Sequence, residues 1–224
     1  MQNLTLVIPA KFESTTLHHV LKEIDDLKLD CQKIVVVPEY DKETIKSIEN
    51  FDCKISIQKG EGFGNAIIQG LKESNTEYSC IFNADGSFDP KYLSIMIKKF
   101  DENIDFIFNT RYKKPGGSED DTFLTQIGNY FFTLICNWLF KLNISDVLFT
   151  YVMGKTKAFN DLNLSKNDFT FCIELPVKAK FNAFKIIDLP SFERSRISGK
   201  KKVNEFKDGF LILISIIRLF IKKK

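Results

Sequence analysis

Cys80-Ile81-Phe82-Asn83-Ala84-Asp85-Gly86-Ser87-Phe88-Asp89-Pro90 is the stretch around which the rest of the chain makes sense. Residues 78–82, apolar but for Ser79 and bounded by a turn, have the pattern of a short buried strand, and Pro90 opens the next helix. The strand delivers a carboxylate, Asp85, to a Gly-containing turn. In an open α/β sheet, ligands bind outside the carboxyl ends of the strands. A hard cation such as Mg²⁺ or Mn²⁺ takes one or two protein oxygens and completes its shell from a diphosphate and water, and Asp85 can supply such an oxygen. Asp-Gly after a strand is equally an ordinary tight turn, so the surrounding sequence has to decide.

On the amino-terminal side, residues 4–9 read as a strand, and Leu17, Val20, Leu21, Ile24 and Leu27 as one helix face with Ser14 as its cap. Residues 33–37 form a second apolar strand, and Asp41 caps the helix of Thr44, Ile45 and Ile48. A third strand at 53–57 leads through Gly60-Glu61-Gly62-Phe63-Gly64 into another helix. On the carboxyl side follow a helix at 92–100, a strand at 104–108 that ends at Asn109-Thr110-Arg111-Tyr112, and a polar, Gly-rich segment at 113–121 that reads as a mobile loop. Residues 123–142 are a long helix broken by polar side chains, 171–180 a helix, 184–189 a strand and 193–202 a basic loop. Alternating helices and near-continuous apolar strands predict a mostly parallel sheet sandwiched by helices, a Rossmann-like α/β fold.

Composition narrows the class. The chain has 224 residues, 44% of them hydrophobic, enough for one sizeable core and an appendage. A net charge of +3 does not suggest a nucleic-acid partner. Five widely spaced cysteines build neither a zinc site nor a disulfide framework and fit a reducing cytoplasm. No basic segment precedes the first strand, so no signal peptide is expected. In the last segment, 203–224, Asn204, Asp208, Ser215, Arg218 and Lys222 share one helical face, while Phe210, Leu213, Ile214, Ile217 and Ile221 lie elsewhere. Its apolar run would be about 20 Å long against about 30 Å of hydrocarbon, so it is expected to lie on a membrane rather than cross it. The expected division is therefore a body at 1–202 and a surface helix at 203–224.

Gly60-Glu61-Gly62-Phe63-Gly64 lacks the Gly-x-Gly-x-x-Gly spacing and follows the third strand, not the first, which argues against a dinucleotide cofactor. These glycines are expected to let the backbone pass close to a bound nucleotide or to the Asp85 loop.

Taken together, several motifs occur in a familiar order: Val7-Ile8-Pro9-Ala10 with Glu13, Gly62-Phe63-Gly64-Asn65-Ala66 with Gly70, Asn83-Ala84-Asp85 with Asp89-Pro90, Arg111-Tyr112 with Gly116-Gly117, Gly128-Asn129, Asp146, Glu174-Leu175, and Arg196 with Gly199 and Lys202. In this the chain resembles the family 2 glycosyltransferases of the GT-A fold, within them the branch of dolichyl-phosphate mannose synthase and bacterial polyprenyl-phosphate glycosyltransferases. The resemblance implies an inverting transfer from a GDP- or UDP-sugar to a lipid phosphate or membrane-linked glycan, by an enzyme held at the cytoplasmic face of the membrane. It implies that Pro9, Ala10, Glu13, Glu39, Gly62, Asn65 and Asn83 hold the donor, and that Asp85 coordinates Mg²⁺ or Mn²⁺. It also implies that Arg111, Arg196, Lys200 and Lys202 bind phosphate oxygens.

A hydroxyl acceptor needs a general base, whereas a lipid phosphate is already ionised. Glu174 and Asp146 are the available carboxylates, and Glu174 either serves the sugar or pairs with Lys178 at i,i+4. Likewise, Glu13 either contacts ribose or sits in a first helical turn. The chain departs from the family pattern at Asn83, the usual first aspartate of Asp-x-Asp, at Ser87, at Pro38-Glu39, and at Phe149-Thr150-Tyr151-Val152. Two alternatives stand beside this reading: a catalytically silent nucleotide-sugar-binding protein, prompted by Asn83, and a sugar nucleotidyltransferase, whose Gly-rich loop would have to follow the first strand.

Overall fold

The structure, a computed structural model, describes residues 3–100, 103–199 and 205–222. Its first half alternates as the apolar pattern requires: β1 (Leu4–Pro9), α1 (Leu17–Asp26), β2 (Cys31–Pro38), α2 (Lys42–Ser47), β3 (Lys54–Gln58), α3 (Phe63–Glu73), β4 (Tyr78–Ile81) and α4 (Lys91–Lys99). The second half is β5 (Phe106–Thr110), β6 (Gly117–Ser118), α5 (Phe123–Phe140), β7 (Val152–Lys155), α6 (Thr156–Asp161), α7 (Phe171–Phe181), β8 (Ile186–Pro190), β9 (Phe192–Glu193) and α8 (Glu205–Lys222). Seven strands form one sheet in the order β3-β2-β1-β4-β7-β5-β8. All pair in parallel except β7, which is antiparallel to both β4 and β5.

Side chains alternate across each strand, so neighbouring residues enter different cores. Leu6, Ile8 and Cys80 pack beneath α1 and α4 with Leu17, Leu21, Leu93 and Met96. Val7 and Ile81 face the other side, with Ile67 of α3 and Phe171 and Leu175 of α7. Strand β7 is not among the strands expected from the apolar pattern, and Gly154 permits its close pairing. A Cβ on Gly154 would come within 2.4 Å of the Phe106 ring on the paired strand, so a side chain there would push β7 off the sheet.

Two local expectations change. Ser14 does not cap α1: the cap position is Thr16, which makes no side-chain cap bond and donates its hydroxyl to the Glu13 carboxylate at 2.7 Å. Asp41 does cap α2, accepting from the Thr44 amide. The Gly-rich segment at 113–121 is tied down rather than loose, because β6 pairs with β9 and the Glu119 amide donates to the Glu193 carbonyl at 2.9 Å.

The long helix α5 has 18 residues and no charge, and it is apolar on two sides. Cys136 and Phe140 point inward to Ile173 and Val177 of α7 and to Ile212, Ile216 and Leu219 of α8. Ser215 lies on that buried arc of α8 at 3% exposure, not on the polar face expected for it. Asn204 falls outside the described residues. On the outer side, Phe123, Ile127, Tyr130, Phe131, Leu134 and Trp138 of α5 are each at least half exposed, as are Phe206, Phe210, Ile217 and Ile221 of α8. Among the described residues, no helix is long and apolar enough to cross a membrane.

Candidate active site

The carboxyl ends of β1, β2 and β4 form one rim. Pro9 ends β1, and the Ala10 amide donates to the Val36 carbonyl at 2.9 Å, which keeps the first two loops together. Glu13 is 8% exposed, with its amide on the Thr44 hydroxyl and its carboxylate on Thr16, so its position is set by α1 and α2. Glu39 is exposed beside Tyr40. Phe12 and Tyr40 are 65% and 61% exposed, stand 6.1 Å apart and carry the Lys11 ammonium 5.5 and 5.7 Å from their ring centres. This open aromatic pair has no periodic signature in the sequence, since its members come from two separate loops.

Past β4, Asp85 is fixed by its own turn. Its Oδ1 accepts from the Ser87 amide at 3.0 Å and the Ser87 hydroxyl at 2.7 Å, with Gly86 at φ +84° where glycine is favoured. Its Oδ2 faces the Arg196 guanidinium at 3.6 Å. The carboxylate therefore has one oxygen anchored and one turned outward, and Asn83 lies part-buried two residues before it. Among the described residues, no group of three or more His, Cys, Asp or Glu side chains could hold a metal. The arrangement fits a cation that takes a single carboxylate and completes its shell from substrate phosphate and water.

Arg111 behaves differently from the expectation of a phosphate ligand. It is 8% exposed, and Asp146 takes its Nε and Nη2 at 2.7 and 3.1 Å, while Nη1 donates to Asp121 at 3.2 Å and Glu193 at 3.1 Å. Four of its five N–H donors are thereby used. Burial opposes its charge, but Asp146 and Glu193 more than offset that and push its pKa above the ordinary arginine value. Burial raises the pKa of Glu193 in spite of Arg111. The guanidinium also stacks 4.6 Å from the Phe149 ring centre. Arg111 is a structural tie between the ends of β5 and β9 and the loops before α5 and β7.

Glu174 is likewise occupied. It is 1% exposed and accepts from the Ser165 amide and hydroxyl and the Lys166 amide at 2.8–2.9 Å, and it pairs with Lys178 at 2.9 Å. Burial works to raise its pKa, but these donors together hold it below the ordinary glutamate value. The loop it anchors presses on the glycine run: a Cβ on Gly62 or Gly64 would lie 2.2 or 2.1 Å from the Asn167 or Lys166 carbonyl oxygen. The Asn65 amide donates to Asn167, and its side chain accepts from Gln58. Gly62 and Gly64 thus make room for the chain's own loop, to which the Asn65 amide is hydrogen-bonded.

The basic run splits into two roles. Arg194 forks onto Glu23 at 2.8 and 3.1 Å and donates to the Gly86 and Phe88 carbonyls, which holds the loop in place. Arg196 forks onto Asp120 at 2.7 and 3.2 Å while facing Asp85. Lys200 and Lys202 lie outside the described residues. Asp120 and Asp121 were not singled out by the sequence. The complementary charge of 119–121 and 194–196 is the one signal that could have paired them.

Residues 5–162 match the family model "Glycosyl transferase family 2". Uncharacterized glycosyltransferases of Mycobacterium tuberculosis and Mycobacterium bovis are 22% identical over 214 residues, 94% of this chain and of each relative. Among solved structures, glucosyl-3-phosphoglycerate synthase from Mycobacterium tuberculosis with uridine diphosphate superposes with a TM-score of 0.75 at 13% identity, over 98% of this chain and 80% of the other. The same synthase with Mn²⁺, UDP-glucose and phosphoglyceric acid gives 0.75 with the same identity and coverage. The sheet order, the outward carboxylate after β4 and a match over most of the chain lead to one conclusion: this chain belongs to glycosyl transferase family 2 and is a glycosyltransferase.

Proposed function

We propose that the chain transfers a sugar from a UDP- or GDP-sugar to a polyprenyl phosphate at the membrane surface, in the manner of the dolichyl-phosphate mannose synthase branch, in cell-envelope or glycoconjugate synthesis. The observation that carries this is Asp85 Oδ2, which accepts no hydrogen bond from its own turn and meets only the Arg196 guanidinium at 3.6 Å among the described residues. Mg²⁺ or Mn²⁺ bound there would neutralise charge on the departing nucleoside diphosphate. Asp85 would hold the cation, Arg196, with Lys200 and Lys202, would receive phosphate oxygens, and Phe12 and Tyr40 would flank the base beside Glu13 and Glu39. Mn²⁺ and UDP in the synthase structures support this choice of cation and nucleotide.

A phosphate acceptor is favoured over a glycan hydroxyl because it needs no base. Asp120, Asp121, Asp146, Glu174 and Glu193 are each ion-paired, and Asp188, whose pKa burial raises, accepts from the Ser145 amide and hydroxyl through Oδ2. The acceptor phosphate oxygen forms the new bond to the anomeric carbon as the bond to the donor's β-phosphate breaks, and the nucleoside diphosphate leaves with the electron pair. The glucosyl-3-phosphoglycerate synthase structures hold a small acceptor; for this chain a membrane acceptor is preferred because of the outer apolar faces of α5 and α8. Exposed Phe, Tyr and Trp side chains with Lys141 and Arg218 nearby suit an anionic lipid interface. Residues 1–202 would then form the catalytic body and 203–224 part of its cytoplasmic membrane-facing side.

The test supplies labelled UDP- and GDP-sugars, Mn²⁺ and vesicles containing polyprenyl phosphate, and separates lipid-soluble from water-soluble label. Chelator-sensitive label in the lipid fraction is the expected result. Label confined to a water-soluble product would overturn the acceptor, and donor binding without any transfer would support a silent binding protein.

A further inference from the structure

We infer that Asp120 is a positioning residue that holds Arg196 against Asp85, so that a divalent cation and the Arg196 guanidinium compete for one carboxylate oxygen. The inference rests on the metal reading of Asp85.

The geometry leaves little freedom. Ser87 anchors Asp85 Oδ1 through two hydrogen bonds, so Oδ2 is the oxygen left for a cation. That oxygen looks onto Arg196 Nη1 at 3.6 Å, close enough for attraction but too far for a hydrogen bond. Asp120 takes Nε and Nη2, which turns the remaining edge of the planar guanidinium towards Asp85. Asp120 is itself held, its amide donating to the Ser118 hydroxyl at 3.1 Å in the loop ahead of α5. A cation on Oδ2 would lie about 2 Å from it, in the space before Nη1, where two like charges repel.

The backbone carrying Arg196 is fastened independently of its side chain. The Ile197 amide donates to the Asp85 carbonyl and the Arg194 amide to the Ser87 carbonyl, both at 2.9 Å, and Ser198 meets Thr15 at 2.8 Å. Ile197 also lies on Gly86, where a Cβ would approach its Cδ1 to 2.5 Å. The segment therefore stays across the metal loop while the arginine alone swings. A cation that displaces it arrives with a diphosphate, the bidentate anion to which a freed guanidinium is suited.

The test is a Mn²⁺ titration by electron paramagnetic resonance on the wild type, Arg196→Ala, Asp120→Asn and the double variant. Arg196→Ala should bind Mn²⁺ about fivefold more tightly, and Asp120→Asn, which releases the hold on Arg196, about twofold more tightly. The gain from Asp120→Asn should disappear when Arg196 is already absent. With Mn²⁺ present, Arg196→Ala should in turn bind UDP or GDP more weakly. If alanine disturbs the fold by circular dichroism, Arg196→Gln replaces it in the cycle, since it removes the charge but keeps a polar side chain of similar reach. Binding by the wild type with additive variant effects would overturn the competition and leave Asp85 as the metal ligand. No Mn²⁺ binding by the wild type would overturn both.

Discussion

Arg111 and Arg196 began as the same expectation, a guanidinium waiting for phosphate, and the fold treats them in opposite ways. Arg111 is sealed among three carboxylates with four donors spent. Arg196 has a 21% exposed side chain, one carboxylate partner in a fork and a second across a gap. A buried charge whose partners saturate it is part of the frame, because removing either side strands the other in low dielectric. A part-exposed charge with an unmet partner can exchange that partner for a ligand. What separates the two is donor saturation, which residue type does not reveal.

The largest effect should come from Asp85→Ala. Transfer is expected to fall by about a thousandfold or more, while stability changes by about 1 kcal/mol from the lost turn bonds. Near-normal turnover would remove Asp85 from the metal site. Arg111→Ala should act on stability instead: stranding Asp146, Asp121 and Glu193 should cost about 3–5 kcal/mol in urea unfolding. An equally stable Arg111→Ala that loses transfer would return this arginine to the substrate.

Arg196→Ala should give the converse pattern, with transfer reduced about ten- to hundredfold and stability altered by less than about 1 kcal/mol. The smallest effect concerns acid. The pKa of Glu174 lies below its ordinary value of 4.5 in the folded protein, so its contribution is complete above the unfolded value and lost as pH falls through the folded one. A Glu174→Gln variant should therefore lose stability near neutral pH and show a flatter acid limb in a melting-temperature profile. An unchanged acid limb would mean the 165–168 loop is held by other contacts.

The resemblance to family 2 rested on short motifs in order, and Asp85 at the end of β4 was legible because strand, carboxylate and turn glycine are consecutive. Glu174 was legible only halfway: its i,i+4 partner Lys178 is local, but Ser165 and Lys166 reach it from a loop with no recognisable pattern. The roles of Gly62 and Gly64 were read towards a ligand because the segment that needs their missing side chains lies about a hundred residues further on.

The sequence alone determined the alternation of strand and helix, the parallel half of the sheet, the turn that presents Asp85 and the family. These depend on periodicity and on contacts between near neighbours, which the order of residues states directly. Tertiary structure decided that β7 enters antiparallel between β4 and β5, that α8 shares a core with α5 and α7, and which arginine is spent and which is poised. Those outcomes depend on burial and on partners as far apart as Arg111 and Glu193, Arg196 and Asp120. The free energy of such a charge is set by what the fold brings to it, not by its neighbours in the chain.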